Sequence, residues 1–185
     1  MTLFLDRDGV INIRTPGDYV KTVEEFIFEP KAPEAISLLT PYFDRIVVLT
    51  NQSGIGKGVM TELQLTSVHS VLLAGVRTAG GRIDRIYFCP HRPDAGCACR
   101  KPAIGLALQA QADFPDIRFG DSWLVGDSVC DMELALALGA RAVLIEGKDE
   151  EASWLADMPL HHRFDALWDF AQWYAESYIL RTSTS

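Results

Sequence analysis

The sequence predicts an α/β fold: a doubly wound, mostly parallel sheet, Rossmann-like, with helices on both faces. Three observations predict it. Short apolar runs of strand length alternate with longer amphipathic stretches almost from end to end. Glycine and proline punctuate the joins between them. The length of 185 residues suits one domain, residues 1–185, with a sizeable core and too little chain for a second.

The elements follow in order. Leu3, Phe4 and Leu5 make the first strand, and a helix over residues 33–43 opens on Pro33, whose fixed φ suits a first turn. Residues 46–49 are Ile-Val-Val-Leu, a β-branched run that reads as a buried strand. Thr61 caps a long helix that ends at Ala79, where Gly80 and Gly81 stop it. Residues 83–88 form a third strand and 104–112 a helix; a strand over 123–125 precedes a helix over 132–138 that ends at Gly139, and 142–145 is the fifth strand. The last periodic stretch, 164–180, sets Phe164, Leu167, Trp168, Ala171, Tyr174 and Tyr178 at helical spacing, the stripe of a helix packed on the core. A polar tail, 182–185, follows. The intervals between motifs are filled by these crossovers, so no large cap domain is expected and the cleft should be open.

Composition narrows the partners. With 48% hydrophobic and 23% charged residues the chain is neither disordered nor fibrous. No apolar run approaches the roughly 20 residues of a membrane-spanning helix, and the start reaches Asp6 without a secretory pattern, so no membrane association and a cytoplasmic location are expected. A net charge of −8 opposes sequence-independent binding to a nucleic acid backbone. A small phosphorylated substrate is still allowed, because a few cations and a metal ion reverse the field inside one cleft. A monomer is expected.

In doubly wound sheets ligands gather at the carboxyl ends of the strands. After the first strand comes Asp6-Arg7-Asp8-Gly9-Val10. Carboxylates two residues apart on extended chain point to one side, and Gly9 permits a sharp turn. Such a pair can divide into a nucleophile that attacks phosphorus and an acid/base that protonates the leaving alkoxide; alone, it is more often what a turn or cap presents. After the second strand, Thr50-Asn51-Gln52-Ser53-Gly54-Ile55-Gly56-Lys57-Gly58 offers a hydroxyl and glycine-freed amides to a phosphoryl group, although it lacks the spacing of either nucleotide-binding glycine motif. Arg100-Lys101-Pro102 sets two cations at a helix start, and Lys101 can hold the transferring group. After the fourth strand, Gly126-Asp127-Ser128-Val129-Cys130-Asp131 places Asp127 to join Asp6 around a hard cation such as Mg²⁺. Asp131 suits a helix cap or support of the metal ligands equally.

Cys89, His91, Cys97 and Cys99 fall within eleven positions as CxH, a short loop and CxC. Three thiolates and an imidazole are a complete tetrahedral set, which predicts a closed, structural Zn²⁺ site in a loop over 89–99 and a reducing compartment. Cys130 reads as a small buried residue, and His69, His161 and His162 receive no role.

The order and context of the four acidic and basic segments resemble the haloacid dehalogenase superfamily over residues 3–145. The resemblance implies that Asp6 is the nucleophile, Asp8 the general acid/base, that Thr50 and Lys101 steady the phosphoryl group, and that Asp6, the Asp8 carbonyl and Asp127 bind Mg²⁺. With the zinc loop, DRDGVIN, TNQSG and CRKP, the chain is similar to the heptose bisphosphate phosphatase branch and its histidinol phosphatase relatives. That likeness implies removal of the 7-phosphate of a sugar bisphosphate, a step in making bacterial surface sugars such as lipopolysaccharide, with histidinol phosphate as the alternative substrate. It further implies that Tyr19, Thr50, Asn51, Gln52, Ser53, Arg100, Lys101 and Ser128 contact the substrate. Lys57 stands where that branch carries arginine, and Gly56 where alanine is usual. A more distant relative acts on DNA 3′ ends, which the acidic charge opposes, and a non-catalytic zinc-stapled module would need no acidic pair.

Overall fold

The computed structural model describes residues 1–15, 17–146, 155 and 158–183. In chain order the elements are β1 (Thr2–Leu5), α1 (Ala32–Leu39), β2 (Arg45–Asn51), α2 (Glu62–Thr78), β3 (Arg85–Cys89), α3 (Gly105–Asp113), β4 (Trp123–Gly126), α4 (Val129–Leu138), β5 (Arg141–Ile145), β6 (His162–Phe164) and α5 (Leu167–Ser183). The six strands form one sheet in the order β3-β2-β1-β4-β5-β6, with every pairing parallel.

Side chains alternate between the two faces of each strand, so buried strands must be apolar throughout. Leu3 and Leu5 face one core with Ile46, Val48, Val125 and Val143, covered by α1, α2 and α5. Phe4 faces the other with Val47, Leu49, Leu124 and Leu144, covered by α3 and α4. The aromatic stripe of α5 packs as expected: Tyr174 meets Phe43 at 4.8 Å between ring centroids and Trp123 at 5.5 Å. Among the described residues no helix is long and apolar enough to cross a membrane.

The differences from expectation have local causes. Phe164 belongs to a sixth strand and not to the last helix, which starts at Leu167; three residues are too few to show a period of two. That helix runs on to Ser183, into the expected tail, whose residues 184 and 185 lie outside those described. α1 ends at Leu39 and passes into a tight turn, Thr40–Tyr42, at Pro41, which has no N–H to continue the ladder. α4 begins at Val129, three residues earlier than predicted, because Ser128 and Asp131 cap it reciprocally. Thr61 caps α2 in the same manner with Gln64.

Strands β1, β2, β3 run outward on one side and β4, β5, β6 on the other. The seam between β1 and β4 is therefore where the winding reverses, and a crevice opens there beyond the carboxyl ends. Thr50, Asp6 and Asp127 all lie at strand ends along this edge.

Candidate active site

A cleft of about 450 Å³ opens at this seam. Asp6 follows β1 and Asp127 follows β4, and each oxygen donor lies within 4.8 Å of the other and of Asp131. Lys101 reaches in from the segment before α3. Its ammonium donates to Asp6 Oδ1 at 2.7 Å, Asp131 Oδ1 at 2.6 Å and the Leu49 carbonyl at 2.8 Å. Burial opposes the charge on Lys101, but the Asp131 and Asp6 carboxylates outweigh it and raise its pKa.

When all three are ionised, the carboxylates exceed the Lys101 ammonium by two charges, against which the Arg14 guanidinium stands 3.6 Å from Asp127. Burial first, then the Asp131 and Asp8 charges, raise Asp6 to about 7 despite Lys101. Burial and the charges of Asp6 and Asp131 raise Asp127 to about 8. Among the described residues Asp127 Oδ2 is buried without a hydrogen-bond partner, and the Arg14 guanidinium stands 3.6 Å away. A surplus of carboxylate oxygen around an unpaired acceptor is what a hard cation fits. Gly9 keeps this space clear: its φ is +92°, and a Cβ there would stand 1.9 Å from Asp127 Oδ2.

Asp8 faces a different environment two residues along. Arg7 Nη2 donates to Asp8 Oδ1 and Oδ2 at 2.8 and 2.9 Å, Asn12 Nδ2 to Oδ1 at 2.9 Å, and Gln52 Nε2 to Oδ2 at 2.7 Å. Burial would raise Asp8, yet the Arg7 charge and these hydrogen bonds outweigh it and hold the pKa below the ordinary value. Two carboxylates on one short segment are thus pushed in opposite directions, the usual mark of divided acid–base roles.

Around them, Thr50 and Asn51 end β2. Thr50 Oγ1 accepts from Gln52 Nε2 at 2.9 Å. Asn51 pins Lys101 through both amide atoms, accepting from its N–H at 3.0 Å and donating to its carbonyl at 3.2 Å. Ser53 is buried and meets the Tyr19 hydroxyl at 2.9 Å, while Lys57 lies 5.3 Å over the Tyr19 ring. Arg100 and Ser128 line the cleft, and Arg100 Nη1 is buried without a partner among the described residues. Gln52 differs from its expected place: it is buried behind Asp8 and does not border the cleft, because its amide is spent on Asp8 and Thr50. Cys130 also differs, for it is only partly buried and lines the cleft beside Ser128 Oγ at 3.1 Å, where α4 opens at the sheet edge.

Cys89, His91, Cys97 and Cys99 converge outside β3. Their sulfur–sulfur distances are 3.6, 3.2 and 3.6 Å, with His91 Nδ1 at 3.6 and 3.2 Å from Cys89 and Cys99. Thiolates about 2.3 Å from a zinc ion stand about 3.7 Å apart in a tetrahedron, so the set matches a closed site. The cysteine–histidine loop also carries its neighbours: Gln52 N–H donates to the Cys89 carbonyl and Gly56 N–H to the Pro90 carbonyl, both at 2.8 Å. A side chain at Gly56 would meet that carbonyl at 2.7 Å, which accounts for glycine there.

Arg7 and Asn12 also border Asp8 and Arg14 borders Asp127, and the sequence does not single them out. Arg7, lying between two acids, was the one legible signal among them. Asp131 caps α4 through Ser128, one of the two roles left open, and also accepts from Lys101, a contact the sequence did not suggest.

A HAD-hydrolase-like family model matches residues 98–170. The chain is 45% identical over 149 residues, 80% of it and 84% of the relative, to a D-glycero-beta-D-manno-heptose-1,7-bisphosphate 7-phosphatase of Pseudomonas putida. A Mycobacterium tuberculosis relative named for the alpha substrate is 38% identical over 172 residues, 91% of this chain and 88% of the relative. Among solved structures, the D,D-heptose 1,7-bisphosphate phosphatase of B. bronchiseptica, complexed with magnesium and phosphate, superposes with a TM-score of 0.85 at 31% identity, covering 95% of this chain and 98% of that one.

Proposed function

The chain belongs to the D-glycero-D-manno-heptose-1,7-bisphosphate 7-phosphatase family of haloacid dehalogenase-like hydrolases, and from that premise we propose that it removes the 7-phosphate of a glycero-manno-heptose 1,7-bisphosphate through a phosphorylated Asp6. The observation that carries this reading is the meeting of Asp6, Asp127 and Lys101 at the seam, with carboxylates in excess of the Lys101 charge and Asp127 Oδ2 without a hydrogen-bond partner among the described residues.

In the first step an Asp6 carboxylate oxygen bonds to phosphorus as the bond from phosphorus to the sugar oxygen breaks. Lys101 and Thr50 hold the phosphoryl oxygens, and Asp8 gives its proton to the departing alkoxide. Asp8 stands ionised at rest, so it must first take up that proton; a phosphate monoester, with its second ionisation near pH about 6, carries one into the cleft. In the second step Asp8 takes a proton from water, whose oxygen bonds to phosphorus and frees Asp6 together with inorganic phosphate. Mg²⁺ would be held by Asp6, Asp127 and the Asp8 carbonyl, and when bound it supplies positive charge against the phosphoryl oxygens. Tyr19, Asn51, Ser53, Arg100 and Ser128 border the space left for the sugar and its second phosphate. Zn²⁺ in the cysteine–histidine set would fix the loop from which Arg100 and Lys101 emerge.

The reading includes a monomer built as a single domain over residues 1–185. A reducing cytoplasm suits the four unlinked cysteines.

The test is phosphate release from both anomers of the heptose bisphosphate and from histidinol phosphate, with Mg²⁺ withheld and restored. Turnover of one heptose anomer that is abolished in a folded Asp6→Asn variant is the expected result. Turnover of histidinol phosphate alone would overturn the substrate, and an active Asp6→Asn variant would overturn the mechanism.

A further inference from the structure

Behind Asp8, away from the cleft, lies a second layer that the reaction above does not use. Arg7 is 0% exposed, an expensive position for an arginine. Its Nη2 and Nε face the Asp8 carboxylate, leaving Nη1, which lies 3.3 Å from Nε2 of His69 on α2. A guanidinium only donates, so Nε2 must accept and the ring proton sits on Nδ1. His69 is therefore neutral; burial and the Arg7 charge hold its pKa down to about 3. The ring in turn lies edge-on to Phe88 of β3, with centroids 6.2 Å apart.

The contacts form a series from helix to carboxylate. α2 and β3 fix the imidazole, the imidazole fixes one end of the guanidinium, and the guanidinium fork fixes both oxygens of Asp8. Asn12 and Gln52 add one donor to each oxygen, and the carboxylate borders the cleft. A long arginine side chain has many rotamers to lose, and without an acceptor on Nη1 nothing on that side would select this one.

We infer that His69 and Arg7 are positioning residues for Asp8, setting the direction in which its carboxyl exchanges a proton with the leaving oxygen. The inference rests on the reading of Asp8 as general acid/base. Misplacing a catalytic group by an ångström can cost about a hundredfold in rate, so a side chain that never touches substrate can govern the step.

The experiment separates proton delivery from everything else by the choice of leaving group. An alkyl phosphate such as the heptose bisphosphate needs its leaving oxygen protonated, whereas the nitrophenolate of p-nitrophenyl phosphate departs without help. His69→Leu removes the acceptor and His69→Gln keeps one. Measured as kcat/KM, which covers phosphoryl transfer to Asp6, His69→Leu should lower alkyl ester hydrolysis by about tenfold or more and leave the nitrophenyl ester nearly unchanged. His69→Gln should recover most of the alkyl activity. If His69→Leu does not fold, Arg7→Lys, which keeps the charge and loses the fork, is read the same way. Equal losses on both esters, or no loss on the alkyl ester, overturn the inference. Asp8→Asn distinguishes the two levels: if it too shows no alkyl-selective loss, the role of Asp8 falls; if it does and His69→Leu does not, only the positioning role falls.

Discussion

Lys101→Met separates the electrostatic account of the site from a merely geometric one. The ammonium is 2% exposed and bonded to two buried carboxylates and a carbonyl. Methionine fills the same space without charge, leaving Asp6 and Asp131 facing each other with no cation between them. Removing one partner of a buried pair costs about 3–5 kcal/mol. For a chain of this size each kcal/mol moves the unfolding midpoint by about 2–4 °C, so the zinc-loaded, magnesium-free variant should melt about 10 °C lower. The same substitution leaves the three carboxylates of the proposed cation site opposed by the Arg14 guanidinium beside Asp127 and no longer by an ammonium. One additional negative charge a few ångströms from a divalent ion is worth more than about 1.4 kcal/mol, so Mg²⁺ should bind the variant at least about tenfold more tightly. Thermal unfolding across a Mg²⁺ titration reads both numbers, because a ligand of the folded state raises the midpoint with its concentration over Kd. Phosphate release should fall by about 10²–10³-fold in the same samples, as a transition-state charge loses its partner. A variant that binds Mg²⁺ more weakly than the parent, or turns over at the parental rate, would refute the charge balance.

Further expectations concern the supports of the site. Cys97→Ser should lose zinc, measured by metal content, and its turnover should fall by about tenfold or more without rescue by Mg²⁺, since Gln52 and Gly56 bond to the cysteine–histidine loop and Lys101 follows it closely in the chain. Thr61→Ala removes a reciprocal cap and should cost about 1 kcal/mol, or about 2–4 °C, with phosphate release unchanged. His69 has a folded pKa of about 3 against 6.5 unfolded, so below pH 6.5 the unfolded chain binds a proton that the folded one refuses. Its stabilising effect is present above pH 6.5 and is lost at up to about 1.4 kcal/mol per pH unit as pH falls toward 3; His69→Gln should flatten that part of an unfolding-versus-pH curve relative to the parent.

What was legible in the sequence was whatever depends on one segment at a time. A continuous apolar run such as 46–49 has no other stable place than the middle of a sheet, and residues such as Asp6 and Asp127 are informative because strand ends at one sheet edge must be neighbours. The cysteine–histidine spacing is short enough to close on itself, so it too could be read directly. The sixth strand was not legible, because His162–Phe164 is too short to show a period and pairs only through the context of β5. Gln52 was misplaced for a related reason: it lies in a loop of cleft-lining residues, and only the position of Asp8, forty-four residues earlier, turns it inward. Arg7 and His69 are sixty-two residues apart, and no local rule couples them.

The β1–β4 seam has a consequence for how the molecule comes into being. Residues 3–5 pair with 123–125, so the two carboxylates proposed to share a cation are brought together by a contact spanning most of the chain. Such distant pairings are entropically late to close. A nascent or refolding polypeptide can therefore complete β1, β2 and β3 with their helices and still be inert, and the first hydrolysed phosphate would announce that both halves have docked.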